Sequence, residues 1–307
     1  MRLAQQVFGA TFQNPVVLAS GTCGYGVEYD DFFDIDSLGG LVIKAVTLEP
    51  RDGNPAPRVA EFAGGMLNSV GLANVGVEQV LRERLPELAR RLQHAQVLVN
   101  VAGRTVEEYG ELVRRLDQGA GFLAFELNVS CPNVKEGGAI FCSRDDLLAA
   151  AVSAARAATT RPLIVKLAPN VPDIGRMAEV AVAEGADGLT LVNTMPGLLF
   201  DLATRRPVLG AGSGGTSGAG LLPIGVHAVA QARRRVSVPI LGAGGVRSAD
   251  DVVQYLLAGA NLVQIGTALF ADPRLPVRVL NDLEHYLHRV RLESVADLVG
   301  AGLVAGP

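Results

Sequence analysis

The side chains best suited to chemistry lie in residues 126–133, which read Glu-Leu-Asn-Val-Ser-Cys-Pro-Asn. An apolar run ends there at Cys131, and Asn128 and Asn133 flank the thiol. Proline cannot donate to a sheet ladder, so Pro132 marks the end of a strand and leaves Cys131 at its carboxyl-terminal edge. A reactive thiol and a small buried apolar residue, the commonest fate of a free cysteine, both fit that position.

Eight apolar runs of strand length alternate with segments of helical spacing. The runs are residues 15–20, 40–46, 97–101, 122–129, 162–167, 188–192, 239–242 and 262–265. The helical segments are residues 27–38, 75–93, 105–118, 144–160, 173–184, 223–235, 249–258 and 273–290. This alternation predicts a parallel sheet covered by helices, and eight units predict an α/β fold of the (β/α)8 TIM barrel class. An open, doubly wound sheet is the alternative.

The length of 307 residues suits one barrel domain spanning residues 1–307, because such barrels need about 250 residues. Residues 3–14 are predicted to form a short N-terminal hairpin that plugs the bottom of the barrel. Two inserted active-site loops are expected. Residues 49–74 would bring Asn68 toward the barrel mouth, and residues 133–143, with Gly137 and Gly138, have the composition of a mobile lid.

In such barrels the reactive side chains follow the carboxyl-terminal ends of the strands. The residues found there are unusually polar: Ser20, Gly21, Thr22, Lys44, Asn100, Asn128, Cys131, Asn133, Lys166, Asn193, Thr194, Gly244, Gly245, Gly266 and Thr267. Lys44 and Lys166 lie within strands and are expected to point into the barrel, where each needs an anionic or hydrogen-bonding partner. The alternative is a lysine that extends from the strand end to water.

The glycines after the seventh and eighth strands predict a phosphate site, because glycine lets backbone N–H groups approach an anion closely. Amide side chains nearby can bind a ring that has both donors and acceptors, so the pattern indicates FMN rather than a dinucleotide. A G-x-G-x-x-G pattern at Gly210, Gly212 and Gly215 lies outside any strand-to-helix turn and is not interpreted as a nucleotide site. Residues 210–220 are predicted to be a flexible loop beside the site.

Charge and cysteine content exclude several classes of protein. The net charge of −4 argues against a nucleic-acid partner, which needs a basic surface. The three cysteines show no C-x-x-C spacing, and the four histidines form no ligand pattern, so we expect no disulfide framework, no iron–sulfur cluster and no metal on this chain. No apolar run approaches 18 residues and no signal peptide is evident, so a cytoplasmic location without membrane contact is expected.

Several motifs closely resemble those of the class 1 dihydroorotate dehydrogenases, and within them the class 1B catalytic subunit. They are Val42-Ile-Lys-Ala-Val-Thr-Leu-Glu-Pro-Arg-Asp-Gly-Asn-Pro-Ala-Pro-Arg, Gly65-Met-Leu-Asn-Ser-Val-Gly-Leu, residues 126–133, Val165-Lys-Leu-Ala-Pro-Asn, and Gly242-Ala-Gly-Gly with Gly266-Thr. The similarity runs over nearly the whole chain. It implies oxidation of (S)-dihydroorotate to orotate by FMN in de novo pyrimidine (UMP) biosynthesis. Class 2 enzymes use a serine base and an N-terminal membrane extension, and neither is expected here.

The resemblance also implies roles for individual residues. Cys131 is the general base, and because a free thiol has a pKa of about 8.5, the rate should climb with pH as thiolate forms. The substrate-binding residues are Lys44, Asn68, Ser69, Val70, Gly71, Leu72, Asn128, Asn133, Asn193 and Thr194. The FMN-binding residues are Ser20, Lys44, Ala45, Asn100, Asn128, Lys166, Val192, Gly218, Gly244, Gly245, Gly266 and Thr267.

The class 1B resemblance implies one FMN per chain and a homodimer core in a heterotetramer. Electrons would pass to NAD through a partner subunit that carries FAD and a 2Fe-2S cluster. The motif Gly-Met-Leu-Asn at residues 65–68 favours class 1B over class 1A, whose members are homodimers that reduce fumarate. Cys23 and Cys142 are interpreted as structural, although a place in the lid would allow Cys142 to be exposed.

Three further alternatives are less favoured. A tRNA dihydrouridine synthase shares flavin, barrel and cysteine, but the acidic charge and the lack of an RNA-binding extension count against it. A dihydropyrimidine dehydrogenase is much longer and carries its own clusters. A non-catalytic barrel that binds a phosphate ligand would need no thiol on a lid.

Overall fold

A computed structural model describes residues 2–130 and 140–303. In chain order its strands are β1 (Gln5–Val7), β2 (Ala10–Phe12), β3 (Val16–Leu18), β4 (Gly40–Val46), β5 (Val59–Phe62), β6 (Gly65–Asn68), β7 (Gln96–Val101), β8 (Ala124–Asn128), β9 (Leu163–Leu167), β10 (Gly188–Leu191), β11 (Met195–Gly197), β12 (Phe200–Asp201), β13 (Arg206–Pro207), β14 (Gly214–Ser217), β15 (Ile240–Ala243) and β16 (Leu262–Ile265).

Eight of these strands close into a parallel barrel in the order β3-β4-β7-β8-β9-β10-β15-β16. The pairing of β16 with β3 completes the ring. All eight coincide with the predicted apolar runs, and their residues are almost entirely buried. The predicted (β/α)8 barrel is therefore confirmed, and the open sheet is wrong.

Helices follow the barrel strands and cover the outside of the barrel. They are α1 (Gly76–Gln79), α2 (Leu85–Arg91), α3 (Val106–Leu116), α4 (Asp145–Arg156), α5 (Ile174–Ala183), α6 (Leu222–Arg233), α7 (Ala249–Leu257), α8 (Ala268–Ala271) and α9 (Leu275–Val290), with a π-helical turn Val80–Arg84 between α1 and α2. Thr105, Asp173 and Ser248 cap α3, α5 and α7 by accepting a backbone N–H three residues ahead. None of the helices in the described ranges is long and apolar enough to cross a membrane.

The helix predicted at residues 27–38 is wrong. The structure has two short 3-10 turns there, Val27–Tyr29 and Ile35–Ser37. Between them the Asp34 side chain accepts the backbone N–H of Asp36, a local hydrogen bond that competes with helix formation. The helical spacing of residues 27–38 therefore predicted a helix between β3 and β4 that the structure does not contain.

Two long connections combine into one small antiparallel sheet beside the barrel mouth. Its order is β11-β14-β6-β5, so strands that follow β4 pair with strands that follow β10. The flexible loop predicted at residues 210–220 is therefore wrong in part, because β14 lies in the middle of this sheet. A Cβ on Gly215 would lie 2.1 Å from Thr194 Oγ1, so this glycine reflects close packing and not flexibility.

The N-terminal hairpin closes the bottom of the barrel, as predicted. β1 and β2 pair antiparallel through Gln5 and Phe12. Val7 and Phe12 pack against inward-facing residues from seven barrel strands: Val17, Val42, Leu98, Ala124, Ile164, Leu241 and Leu262. The lowest layer of the barrel is consequently apolar and excludes water from below.

We expect Phe12→Ala to destabilise the protein by about 3–5 kcal/mol, because it removes a fully buried ring from this layer. Urea unfolding followed by circular dichroism gives the change in unfolding free energy. Thr11→Ala, on the exposed face of the same strand, is the matched control and should change it by less than about 0.5 kcal/mol. Equal effects of the two substitutions would show that the hairpin is not part of the core.

Candidate active site

A layer of polar side chains lies inside the barrel, above the apolar layer that the hairpin closes. Side chains two positions apart on a strand share a face. Ala124 belongs to the apolar layer, so Glu126 points inward one step nearer the carboxyl-terminal end of the barrel. The same relation on three other strands adds Asn100, Lys166 and Gln264 to the layer.

Glu126 is the centre of this layer and is fully buried. Its Oε1 accepts a hydrogen bond from Asn100 Nδ2 at 2.7 Å. Its Oε2 accepts from Thr190 Oγ1 at 2.7 Å and from Gln264 Nε2 at 2.8 Å. The Lys166 ammonium lies 3.6 Å from Oε1. The partner expected for Lys166 is thus found inside the barrel, and the alternative of extension to water is wrong for this lysine.

A first cavity of about 510 Å³ is lined by most of the predicted cofactor residues. Its volume lies within the range of about 300–1,000 Å³ that is typical of small-molecule sites. The predicted residues that line it are Ser20, Lys166, Val192, Gly218, Gly244, Gly245, Gly266 and Thr267.

Tyr255 holds the glycine loop at one end of this cavity. Its hydroxyl lies 2.9 Å from the carbonyl oxygen of Ala243 and 2.7 Å from that of Gly244. The N–H of a trans peptide points away from its C=O, so the N–H groups of Gly244 and Gly245 face away from Tyr255. A Cβ on Gly245, where φ is +77°, would lie 2.4 Å from the backbone nitrogen of Leu222. This loop can therefore offer two N–H donors to a phosphate group.

A second cavity of about 660 Å³ contains predicted substrate residues. Those that line it are Gly71, Leu72, Asn128, Asn193 and Thr194. Arg51 and Arg104 also line it and give its wall a positive charge. Guanidinium groups suit the recognition of a carboxylate, so an anionic ligand fits this cavity.

The two cavities share Asn193 and Thr194. Asn193 Nδ2 donates to Asn128 Oδ1 at 3.2 Å, and Asn193 Oδ1 accepts the backbone N–H of Thr194 at 2.8 Å. The small antiparallel sheet separates the cavities elsewhere, with Met66 and Ser217 on the first and Pro196 and Gly215 on the second. Two ligands bound side by side would meet at Asn193.

Some predicted residues lie beside the cavities without lining them. Asn68 Nδ2 donates to the Gly215 carbonyl oxygen, and Ser69 Oγ accepts from Asn54 Nδ2. Lys44 is half-buried where the pairing register of β4 shifts, and its backbone N–H donates to the carbonyl oxygen of Gly24. The others in this group are Ala45, Val70 and Asn100. Cys131 and Asn133 fall outside the described residues.

The other two cysteines are buried and fit a structural role. Burial raises the pKa of Cys23 to about 12, and burial also raises the pKa of Cys142. Neither thiol therefore ionises readily to the reactive thiolate. The exposure considered for Cys142 is therefore wrong. Among the described residues no group of histidine, cysteine and carboxylate side chains could hold a metal ion.

Sequence reasoning missed the polar residues that support and extend the site. Glu126, Thr190 and Gln264 lie inside strands, and only their even spacing from inward-facing neighbours could have revealed them. Arg51, Arg104 and Asn170 line the second cavity and follow strand ends by several residues. A search extended three residues beyond each strand would have found Arg104 and Asn170.

Comparison with known proteins agrees with this geometry. The family model described as dihydroorotate dehydrogenase matches residues 2–287. The chain belongs to the dihydroorotate dehydrogenase family. Members of this family are flavin-dependent oxidoreductases. This fits a barrel in which the loop at Gly244 and Gly245 suits a phosphate and a neighbouring cavity suits an anion.

Relatives cover nearly the whole chain, and their names differ in the electron acceptor. A protein of Solibacter usitatus named putative dihydroorotate dehydrogenase A (fumarate) is 48% identical over 97% of this chain and 98% of its own length. Catalytic subunits named dihydroorotate dehydrogenase B (NAD(+)) are similar as well. The one from Geotalea daltonii is 44% identical over 97% of both chains, and the one from Desulforudis audaxviator is 45% identical over 98% of this chain and 97% of its own.

The first cavity fits a flavin mononucleotide on grounds of its own residues. Asn193 and Gln264 line this cavity with amide groups, which can both donate and accept hydrogen bonds and so suit a ring with donors and acceptors. Lys166 adds a cationic donor, and the loop at Gly244 and Gly245 suits a phosphate. A ring with donors and acceptors, joined to a phosphate, matches all three features.

We expect Tyr255→Phe to raise the dissociation constant for FMN by about fivefold to tenfold, the cost of losing a buried hydrogen bond that orients the loop. Titration of apoprotein with FMN, followed by quenching of flavin fluorescence, measures the constant. Tyr286→Phe is the control, since Tyr286 lines neither cavity. Unchanged affinity in Tyr255→Phe would mean that its hydroxyl does not prepare the phosphate site.

Proposed function

We propose that this protein oxidises (S)-dihydroorotate to orotate with bound FMN, as a step of de novo pyrimidine (UMP) biosynthesis. The observation that carries the proposal is the pair of cavities that meet at Asn193 and Thr194. One cavity has a phosphate cradle and a buried lysine, and the other has amide groups and two arginines. This arrangement lets a flavin and a small anionic ring lie in contact.

The reaction removes one hydride and one proton from adjacent ring carbons, so that a carbon–carbon double bond forms. FMN, when bound, accepts the hydride. Asn128 and Asn193, linked by their own hydrogen bond, are proposed to hold the amide edges of the ring. The Tyr109 hydroxyl donates to the Asn128 carbonyl oxygen at 2.7 Å and fixes the end of β8. Arg51 and Arg104 are proposed to attract the substrate carboxylate.

Cys131 is proposed to be the base that removes the proton. It lies outside the described residues, but Ser130 and Ile140, at the two ends of that gap, both line the second cavity. Asn133 is proposed to bind the ring from the same segment. The predicted substrate residues that line neither cavity, Lys44, Asn68, Ser69 and Val70, stay part of the proposal.

We expect Cys131→Ala to bind FMN normally and to lose dihydroorotate oxidation by a factor of about 10²–10⁴, the usual contribution of a general base. Cys131→Ser should retain a little activity and should lose the rise of rate with pH that thiolate formation gives. Anaerobic bleaching of the flavin by dihydroorotate, measured by stopped flow at several pH values, provides these rates. Cys142→Ala is the matched cysteine control and should react near the parental rate. Parental turnover by Cys131→Ala would disprove the assignment of the base.

For the electron acceptor we propose NAD, reached through a partner subunit that carries FAD and a 2Fe-2S cluster. The relatives named as B-type catalytic subunits support this, and so does the buried state of Cys23 and Cys142, which leaves them unsuited to bind a cluster. The proposed assembly is a homodimer core flanked by two partner subunits, in the cytoplasm. Fumarate is the second candidate, because the Solibacter usitatus relative is named for it.

Reoxidation of the reduced protein distinguishes the two acceptors. We expect that this chain alone, reduced anaerobically by dihydroorotate, is reoxidised slowly by both fumarate and NAD, since a partner must relay the electrons. Addition of a B-type electron-transfer subunit should make reoxidation by NAD fast. Absorbance of the flavin measures both rates. Rapid reoxidation by fumarate without a partner would replace the NAD-linked proposal with the fumarate-linked one.

A further inference from the structure

We propose that Glu126 is a positioning residue that sets both the charge and the hydrogen-bonding polarity of the barrel wall toward the flavin. This proposal rests on the proposed function, in which FMN is the ligand of the first cavity. The argument depends on the burial of Glu126, on the groups around its two oxygens and on the contact with Lys166.

The carboxylate of Glu126 is surrounded by donors. Asn100 Nδ2 lies 2.7 Å from Oε1, and Thr190 Oγ1 and Gln264 Nε2 lie 2.7 and 2.8 Å from Oε2. With Lys166 Nζ at 3.6 Å, each oxygen therefore has two polar neighbours. A buried carboxylate without such partners would be strongly destabilising, so these contacts are required by its burial.

An ionised carboxylate only accepts hydrogen bonds, and this fixes the orientation of two amide side chains. Asn100 and Gln264 must turn their NH2 groups toward Glu126. Their oxygens then face other groups: Gln264 Oε1 lies 3.5 Å from Lys166 Nζ, and Asn100 Oδ1 is buried with no partner in the described part of the chain. Glu126 thereby fixes which end of each amide faces away from it, and of the two amides Gln264 lines the first cavity.

Glu126 also determines how much positive charge a ligand in the first cavity meets. Lys166 lines this cavity and is nearly fully buried. Two-electron reduction adds negative charge to a flavin ring, so a nearby cation favours the reduced form and a nearby anion opposes it. The Glu126 carboxylate partly offsets the Lys166 ammonium. It should therefore lower the reduction potential of the bound flavin while it holds the lysine in place.

The test is Glu126→Gln in the FMN-loaded protein, with Thr190→Val as the matched control. Glu126→Gln keeps the side-chain volume and removes the charge, whereas Thr190→Val removes one uncharged donor and leaves the carboxylate in place. Anaerobic redox titration against a reference dye gives the two-electron potential. Titration of apoprotein with oxidised FMN gives its dissociation constant. Both measurements use FMN and no dihydroorotate.

For Glu126→Gln we expect preference for reduced over oxidised FMN to increase by about tenfold, which raises a two-electron potential by about 30 mV. Oxidised FMN should also bind more weakly, because Lys166 and the Gln264 amide, which line the cavity, are no longer held by a carboxylate. Thr190→Val should change both quantities by less than about threefold, because Thr190 does not line the cavity and Glu126 keeps its charge and its other contacts. A parental potential and a parental dissociation constant in Glu126→Gln would overturn the proposal.

Glu126→Asp keeps the proposal testable if the glutamine variant does not fold. It retains the charge but shortens the side chain, so the carboxylate reaches fewer of its donors. Oxidised FMN should then bind several-fold more weakly with little change in potential, and parental affinity would overturn the proposal. If the variants show these shifts while the parental protein oxidises no dihydroorotate, the proposed substrate is disproved and the role of Glu126 stands.

Discussion

A carboxylate buried completely inside the barrel is the constraint on which the site depends. Glu126 cannot be separated from water unless donors surround it, and those donors come from four other strands, β7, β9, β10 and β16. Its two oxygens thereby join much of the barrel at one level. The polar layer is therefore a single hydrogen-bonded unit, and the first cavity begins at this unit because Lys166 and Gln264 belong to both.

The apolar layer below explains why such a unit can exist. The hairpin packs Val7 and Phe12 against the lowest inward-facing residues and closes the barrel to water from that side. Hydrogen bonds strengthen where water is excluded, so the network above is both stronger and more costly to leave incomplete. Order in the site thus depends on residues that never touch a ligand.

The sequence predicted the barrel strands well because a buried parallel strand is nearly continuously apolar, as Gly40–Val46 and Leu163–Leu167 show. It predicted Lys166, Gly244 and Asn193 at the site because Lys166 interrupts such a run with a charge and the other two follow one. It failed for Glu126 and Gln264, whose inward direction depends on strand register. It also failed for residues 27–38 and for β14, because a local aspartate hydrogen bond and close packing against Thr194 are not visible in composition.

The small antiparallel sheet has a consequence for how this protein can change in evolution. β6 and β14 come from connections far apart in the chain, yet they pair residue by residue through Gly215 and Asn68. An insertion or deletion in either connection would shift the other out of register and deform both cavities together. Neither connection can therefore vary in length alone, and a lineage that acquires a new ligand preference here must alter the two segments in step.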